Sequence, residues 1–330
     1  MTDDRTQAEP LPEPVDRPAT NRGPATGATT LARSTGGPDR RPDLAADCWF
    51  LSGPTASGKS ALGVRLAREL GAEIVSVDSM AVYRGLDVGT AKPTGEQRQA
   101  VPHHLIDVVS PAESYSVARW LADAAAAVAA CRRRGRQILF VGGTPLYLRA
   151  LRDGLAELPG EDADLRRQLA AEAAAHGSAR LHARLATVDP VAATRIHPHD
   201  LKRIIRALEV EQISGRPLSH AFAPEPHPVF ERQFFALDLP RAALHERIDS
   251  RVERMFAEGI VEETRAALDA PGGLGPTAVQ AAGYAEAADL LAGRIDRAEA
   301  IRRTQQRTRQ LAKRQLTWLR SFKGAIWIPA

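Results

Sequence analysis

The sequence predicts an α/β protein: a parallel sheet with crossover helices, interrupted by an all-helical insertion and closed by helices at the C-terminus. Three observations carry this. An apolar run, Cys48-Trp49-Phe50-Leu51, meets a glycine-rich turn and then a helical pattern from Ala61 to Leu70. Further strand-like runs, Glu73 to Val77, Gln137 to Val141 and Gln233 to Leu239, alternate with helical stretches. Between Pro159 and Pro224 the strand signals vanish, and Ala- and Arg-rich helices are separated by Gly177, Pro190, Pro198 and Gly215. Strands joined by helices make parallel sheets, whereas a run of helices alone makes a bundle.

The elements follow in chain order. Residues 1–46 hold seven of the 23 prolines and four glycines, with no period in their few large apolar residues, and are expected to be a disordered tail. The core is expected to comprise 47–157 and 224–330, with 158–223 as the helical insertion; 330 residues suffice for two such units. Three helical segments complete the chain: Ala242 to Glu258, Val261 to Leu268 and Asp296 to Phe322. Composition, 44% hydrophobic and 25% charged, excludes a fibrous or wholly disordered chain. No apolar run approaches the ~20 residues that cross a bilayer, and residues 1–5, Met-Thr-Asp-Asp-Arg, with neither a basic n-region nor an apolar h-region after them, lead to the expectation that the chain is not secreted. Two cysteines, Cys48 and Cys131, fit a reducing cytoplasm, and no membrane partner is expected. The nine histidines form no ligand set; His103, His104 and His197 are expected to be hydrogen-bonded structural residues.

The chemistry begins at Gly53-Pro54-Thr55-Ala56-Ser57-Gly58-Lys59-Ser60, the pattern G-x-x-x-x-G-K-S, set between a strand and a helix. That placement makes the core P-loop NTPase-like. Backbone N–H groups at a helix N-terminus can curl around phosphate oxygens, Lys59 neutralises terminal phosphates and the Ser60 hydroxyl ligates Mg²⁺. The expected ligand is a diphosphate or triphosphate; the motif does not say which. Asp78 ends the strand Glu73 to Val77, where open α/β sheets place their ligands, and serves either chemistry or as a turn cap. At the C-terminus, residues 294–323 carry ten Lys and Arg against Asp296 and Glu299, a net of +8; with +4 overall, the other 300 residues carry −4. Helical spacing puts Ile301, Leu311, Trp318, Leu319 and Phe322 on one side and Arg302, Arg309, Lys313 and Arg320 on the other. Such a face either meets a polyanion or is simply solvated.

Several motifs taken together resemble the tRNA isopentenyltransferase (tRNA dimethylallyltransferase) family. They are Gly53 to Ser60, Asp78 to Pro93, Pro102-His103-His104-Leu105-Ile106-Asp107, Val141-Gly142-Gly143-Thr144, His197-Pro198-His199-Asp200, Gly283-Tyr284 and Leu311 to Arg320. The resemblance implies transfer of a dimethylallyl group from dimethylallyl diphosphate to N6 of adenosine 37 in the anticodon arm of tRNA, with Mg²⁺. It makes the phosphate loop a holder of the diphosphate leaving group. By the same resemblance Asp78 is the base, Lys59 and Arg251 grip the diphosphate, and Thr144 lies beside the substrate. It assigns tRNA contacts to Asp78, Ser79, Met80, Ala81, Arg166, Lys202, Arg203, Arg206, Gln280, Gly283, Tyr284, Lys313, Arg314, Gln315, Thr317, Trp318 and Arg320. A monomer is expected. Ala81 stands where many members carry Gln and Ala285 where Lys or Arg is common, both at RNA-reading positions. A small-molecule kinase, an adenine-nucleotide isopentenyltransferase and a non-catalytic RNA-binding module remain as alternatives.

Overall fold

A computed structural model describes residues 44, 47–156, 158–221 and 233–330. The expected tail, Leu44 apart, lies outside these residues, as does most of the return from the insertion to the core. Six parallel strands form one sheet: β1 (Cys48–Ser52), β2 (Ala72–Val77), β3 (His103–His104), β4 (Gln137–Gly142), β5 (Phe234–Asp238) and β6 (Ile326–Pro329), in the order β3-β2-β4-β1-β5-β6. All six β2 residues are buried, as a parallel strand covered on both faces requires.

Strand alternation sends successive side chains to opposite layers. Phe50, Val75, Val77, Phe140 and Phe234 join one core cluster with Trp120 of α3 (Val117–Arg133), Tyr147 of α4 (Pro145–Asp153) and Ile248 of α9 (Arg241–Ala257). Leu51, Ile74, Leu139, Val141 and Leu237 join the other, against Ala67 of α1 (Lys59–Leu70). Phe50 stacks on Phe140 at 5.0 Å across the β1–β4 register. Short α2 (Gly95–Ala100) leads to β3. Beyond α9 come α10 (Ile260–Asp269), α11 (Tyr284–Leu291) and α12 (Arg297–Arg320). Among the described residues, no helix is long and apolar enough to cross a membrane.

Between Pro159 and Pro224 the described chain has four α-helices, α5 (Ala163–His176), α6 (Ser178–Val188), α7 (Pro190–Arg195) and α8 (Leu201–Ser214), a short 3-10 turn at Leu218–Ala221, and no strand. Leu169, Leu181, Leu185, Ile204 and Leu208 form an apolar cluster separate from the two that flank the sheet.

The α12 face differs from the expected one. Its buried positions are Ala300, Thr304, Thr308, Ala312, Gln315 and Leu319, while Leu311 lines a cavity and Trp318 is half-buried. Thr304 and Thr308 hide their hydroxyls by donating to the carbonyls four residues back, at 2.8 and 2.7 Å. A polar stripe thus packs as a core stripe, which hydrophobic spacing does not reveal.

Candidate active site

The chain runs from β1 to β2 across the position later filled by β4, so the carboxyl ends of these three strands meet at a crevice. A cavity of about 260 Å³ opens there. Each strand delivers one motif: β1 leads into the Gly53–Ser60 loop, β2 into Asp78 and β4 into Thr144. Lys59, Ser60, Asp78, Thr144 and Arg251 all line this cavity, although Arg251 comes from α9, far along the chain.

The loop is built to receive an anion. Gly58 caps α1 with φ 90°, a left-handed conformation that glycine adopts without strain, and no side chain caps the helix; its first turn holds no acid. The N-terminal amides of α1 are left with the positive helix end exposed. The Ser57 hydroxyl is buried without a partner among the described residues. Lys59 Nζ reaches back to Pro54 O at 3.2 Å. Burial pulls the Lys59 ammonium down to about 8; the Asp78 carboxylate opposes this and the Arg251 cation adds to it. Burial likewise lowers Arg251, which donates to Thr55 Oγ1 at 3.3 Å. Cations held at this cost are the sign of a site completed by a polyanion.

Asp78 caps the turn and also faces the cavity. One carboxylate oxygen accepts the N–H groups of Met80 (2.8 Å) and Ala81 (3.3 Å), capping the turn, and the residue still lines the cavity. Thr144 ties the neighbouring strand ends together: its hydroxyl accepts Ser79 N–H at 3.0 Å and donates to Ser79 Oγ at 3.4 Å. Apolar Met80, Ile106, Val252, Met255 and Leu311 complete a lining suited to a hydrocarbon chain. Ser60 and Asp78 offer hard oxygen donors that fit Mg²⁺ beside a diphosphate.

Several residues that the resemblance assigned to RNA have other duties. Tyr284 and Gly283 are buried, and the Tyr284 hydroxyl donates to Glu263 at 2.5 Å, so neither presents a surface to RNA. Ala81 is buried as well. Gln315 is buried and braces the site from α12: its Oε1 accepts Thr55 N–H at 2.7 Å and its Nε2 donates to Gly143 O at 2.9 Å. Arg166 and Arg206 are drawn into ion pairs with the buried Glu209. Arg309 pairs with Asp249 and Arg302 with Glu299, which removes both from the free basic face. Lys202, Arg203, Gln280, Lys313, Arg314, Thr317 and Arg320 are exposed, and a second hollow is lined by Gln310, Lys313, Arg314, Thr317 and the half-buried Trp318. The Gln315 brace escapes sequence analysis because a glutamine 260 residues from the loop carries no local signal.

The histidines singled out by sequence are hydrogen-bonded. His103 Nδ1 lies 2.7 Å from Val101 O, and His197 Nδ1 accepts His199 N–H at 3.2 Å. His104 Nε2 sits 2.7 Å from Glu73, whose carboxylate also accepts from Cys131 and, at 2.6 Å, from Arg134. Arg134 holds the Glu73 carboxyl down to about 2, and burial pushes the Cys131 thiol up to about 11. An oxygen, a nitrogen and a sulfur thus stand within metal-binding reach of one another, but Arg134 closes the group as an ion pair.

A P-loop-type parallel sheet with an anion cradle, an aspartate and an apolar-lined cavity at its carboxyl edge suits an enzyme that handles a phosphorylated hydrocarbon. The IPP transferase family model matches residues 81–322, and the isopentenyl transferase model matches 46–108. The chain is 53% identical to a tRNA dimethylallyltransferase of Anaeromyxobacter dehalogenans over 283 residues, covering 84% of this chain and 93% of that protein. Among solved structures it is similar to the tRNA isopentenylpyrophosphate transferase of Bacillus halodurans (39% identity, TM-score 0.61, 85% of this chain and 88% of that one). It is also similar to a eukaryotic dimethylallyltransferase acting on tRNA (27% identity, TM-score 0.72, 86% and 73%). The chain belongs to the tRNA dimethylallyltransferase family, a family of prenyl-transferring enzymes.

Proposed function

We propose that the protein transfers the dimethylallyl group of dimethylallyl diphosphate to N6 of adenosine 37 in tRNA. The observation that carries this is the meeting of Lys59, Arg251 and the uncapped α1 N-terminus with Asp78 and an apolar lining in one cavity. Breaking the allylic C–O bond places negative charge on the departing diphosphate, which Lys59, Arg251 and the loop amides are already placed to receive. The adenine amine attacks the allylic carbon, and its proton passes to the Asp78 carboxylate. Ser60 would hold Mg²⁺, which would supply further positive charge to the leaving group. Thr144, bonded to Ser79, keeps the Asp78 turn and the β4 end in register.

The target base must leave the anticodon stack to reach this cavity. Lys313, Arg314, Thr317, Trp318 and Arg320 on α12 are the proposed phosphate- and base-contacting group, with Lys202 and Arg203 on α8 as a second, in which Arg203 must first give up its pair with Asp200. In this reading 158–223 is an insertion that approaches the tRNA, the enzyme is a monomer and the reaction is cytoplasmic. Incubation with dimethylallyl diphosphate, Mg²⁺ and unmodified tRNA should yield isopentenyladenosine, with AMP ignored as acceptor. ATP turnover without prenylation would reject the proposal in favour of a kinase.

A further inference from the structure

Glu263, on α10, stands outside the cavity lining and outside every motif noted in the sequence. Its carboxylate accepts the backbone N–H groups of three successive residues, Asp87 (2.7 Å), Val88 (2.9 Å) and Gly89 (3.2 Å), and the Tyr284 hydroxyl at 2.5 Å. Consecutive amides converging on one anion form a nest, here filled by the protein's own side chain. The chain so held runs directly into Thr90, Ala91, Lys92 and Pro93, which with Gly89 form one wall of the cavity. Tyr284 packs so closely that a β-carbon on Gly89 would lie 2.4 Å from its ring. Lys92 fixes the far end of the wall: Nζ donates to Tyr83 O at 2.5 Å and to Asp87 and Asp107 at 2.6 Å each.

We propose that Glu263 is a positioning residue for the transfer reaction: by gripping the amides of Asp87, Val88 and Gly89 it sets the 89–93 wall against the incoming base and the prenyl chain. This rests on the transferase reading above. The wall carries none of the groups that hold the diphosphate, which belong to the 53–60 loop and Arg251. Loosening it therefore affects the chemical step more than diphosphate binding. A displacement on the order of 1 Å in a bound group is enough for a ~100-fold loss of rate.

The test is Glu263→Gln, which keeps one acceptor oxygen but turns an amide NH2 donor toward the nest, with Tyr284→Phe as a milder variant should the first fail to fold. Expected for Glu263→Gln is a kcat for tRNA prenylation lowered about 10- to 100-fold. Pyrophosphate affinity should stay within about twofold, since no charge is moved in the cradle. Amide hydrogen exchange at 87–89 should accelerate while β1 and β4 keep their protection. Tyr284→Phe should shift each readout in the same direction by less. An unchanged kcat alongside accelerated exchange would overturn the proposal, as would a parallel loss of pyrophosphate affinity and sheet protection, which marks general damage. The wild-type control separates the two ideas: no prenylation by it removes the transferase reading, whereas the exchange at 87–89 still reports whether Glu263 holds the wall.

Discussion

Charged side chains are drawn out of water in two regions, and the two treat them in opposite ways. In the α5–α8 block, Glu209 is fully buried and fully answered: Arg166 at 2.8 and 2.9 Å, Arg206 at 2.5 Å and Asp162 N–H at 2.8 Å. Asp189, also buried, accepts Ala192 N–H and Ser219 N–H. At the carboxyl edge of the sheet, Lys59 meets one loop carbonyl, Arg251 one hydroxyl, and Ser57 Oγ nothing among the described residues. A closed network holds a bundle together; an open one costs stability and waits for a ligand that closes it.

Lys59→Met is the strongest test of that contrast. Transfer should be abolished to background, because the leaving group loses one of the two cations that line the cavity beside the loop. The folded protein should nevertheless become more stable near pH 7. A lysine at about 8 rather than 10.5 opposes folding by about 3 kcal/mol if fully desolvated, and by about 1–2 kcal/mol given the half-buried position of its side chain. The sign follows from linkage: with the folded value depressed, the penalty is complete below about pH 8 and fades as pH rises toward 10.5. Thermal unfolding at pH 7 and pH 10 checks it, and a variant less stable than wild type at pH 7 would refute the open-network idea. Pyrophosphate affinity of the wild type should also fall as pH rises through about 8, and this dependence should vanish in the variant.

Asp78→Asn comes next. The side chain keeps an acceptor for the Met80 and Ala81 amides, so the turn survives, but it cannot take a proton. Prenylation should drop about 10²- to 10⁴-fold with tRNA affinity nearly intact. Full turnover would strip Asp78 of the role of base.

What could be read from sequence divides along the same line. Local chemistry was readable: the phosphate loop, four of the six strands and the helices α9, α10 and α12 announce themselves through short-range pattern, whereas α11 does not. The Gly58 turn needs only its neighbours. Long-range duties were not readable. Gln315 and Glu263 act through backbone groups 260 and 174 to 176 residues away, and neither residue type proclaims that use. The resemblance assigned Tyr284 to RNA, yet its ring packs against Gly89 and its hydroxyl is held by Glu263. β3 has only two residues, both histidine, and β6 follows a basic helix with no turn signal beyond Gly324. Both edge strands are recruited by the sheet rather than by their own propensity.

Glu209→Gln probes the closed half of the comparison. Two guanidiniums would lose their carboxylate in a buried position, which destabilises by about 3 kcal/mol or more. Thermal unfolding should register the loss, while pyrophosphate affinity, set at the other region, should stay the same. Equal stability would mean that the network around Arg166 and Arg206 is not the anchor of the block, and would restore those arginines as candidates for meeting phosphates.

The smallest effect sharpens the contrast within a single helix. On α12, Lys313 is exposed and joined to no acid among the described residues, whereas Arg309, one turn earlier, is paired to Asp249. Both looked alike on a helical wheel. A cation that meets a phosphate releases about one counterion, so Lys313→Ala should lower the slope of log affinity for tRNA against log salt by about one. Arg309→Ala should leave the slope nearly unchanged, because Asp249 already neutralises that guanidinium and its loss exposes a carboxylate instead. Equal slopes for the two variants would show that the ion pair opens on contact with RNA, and that a bond drawn in the free protein does not decide which cations the tRNA uses.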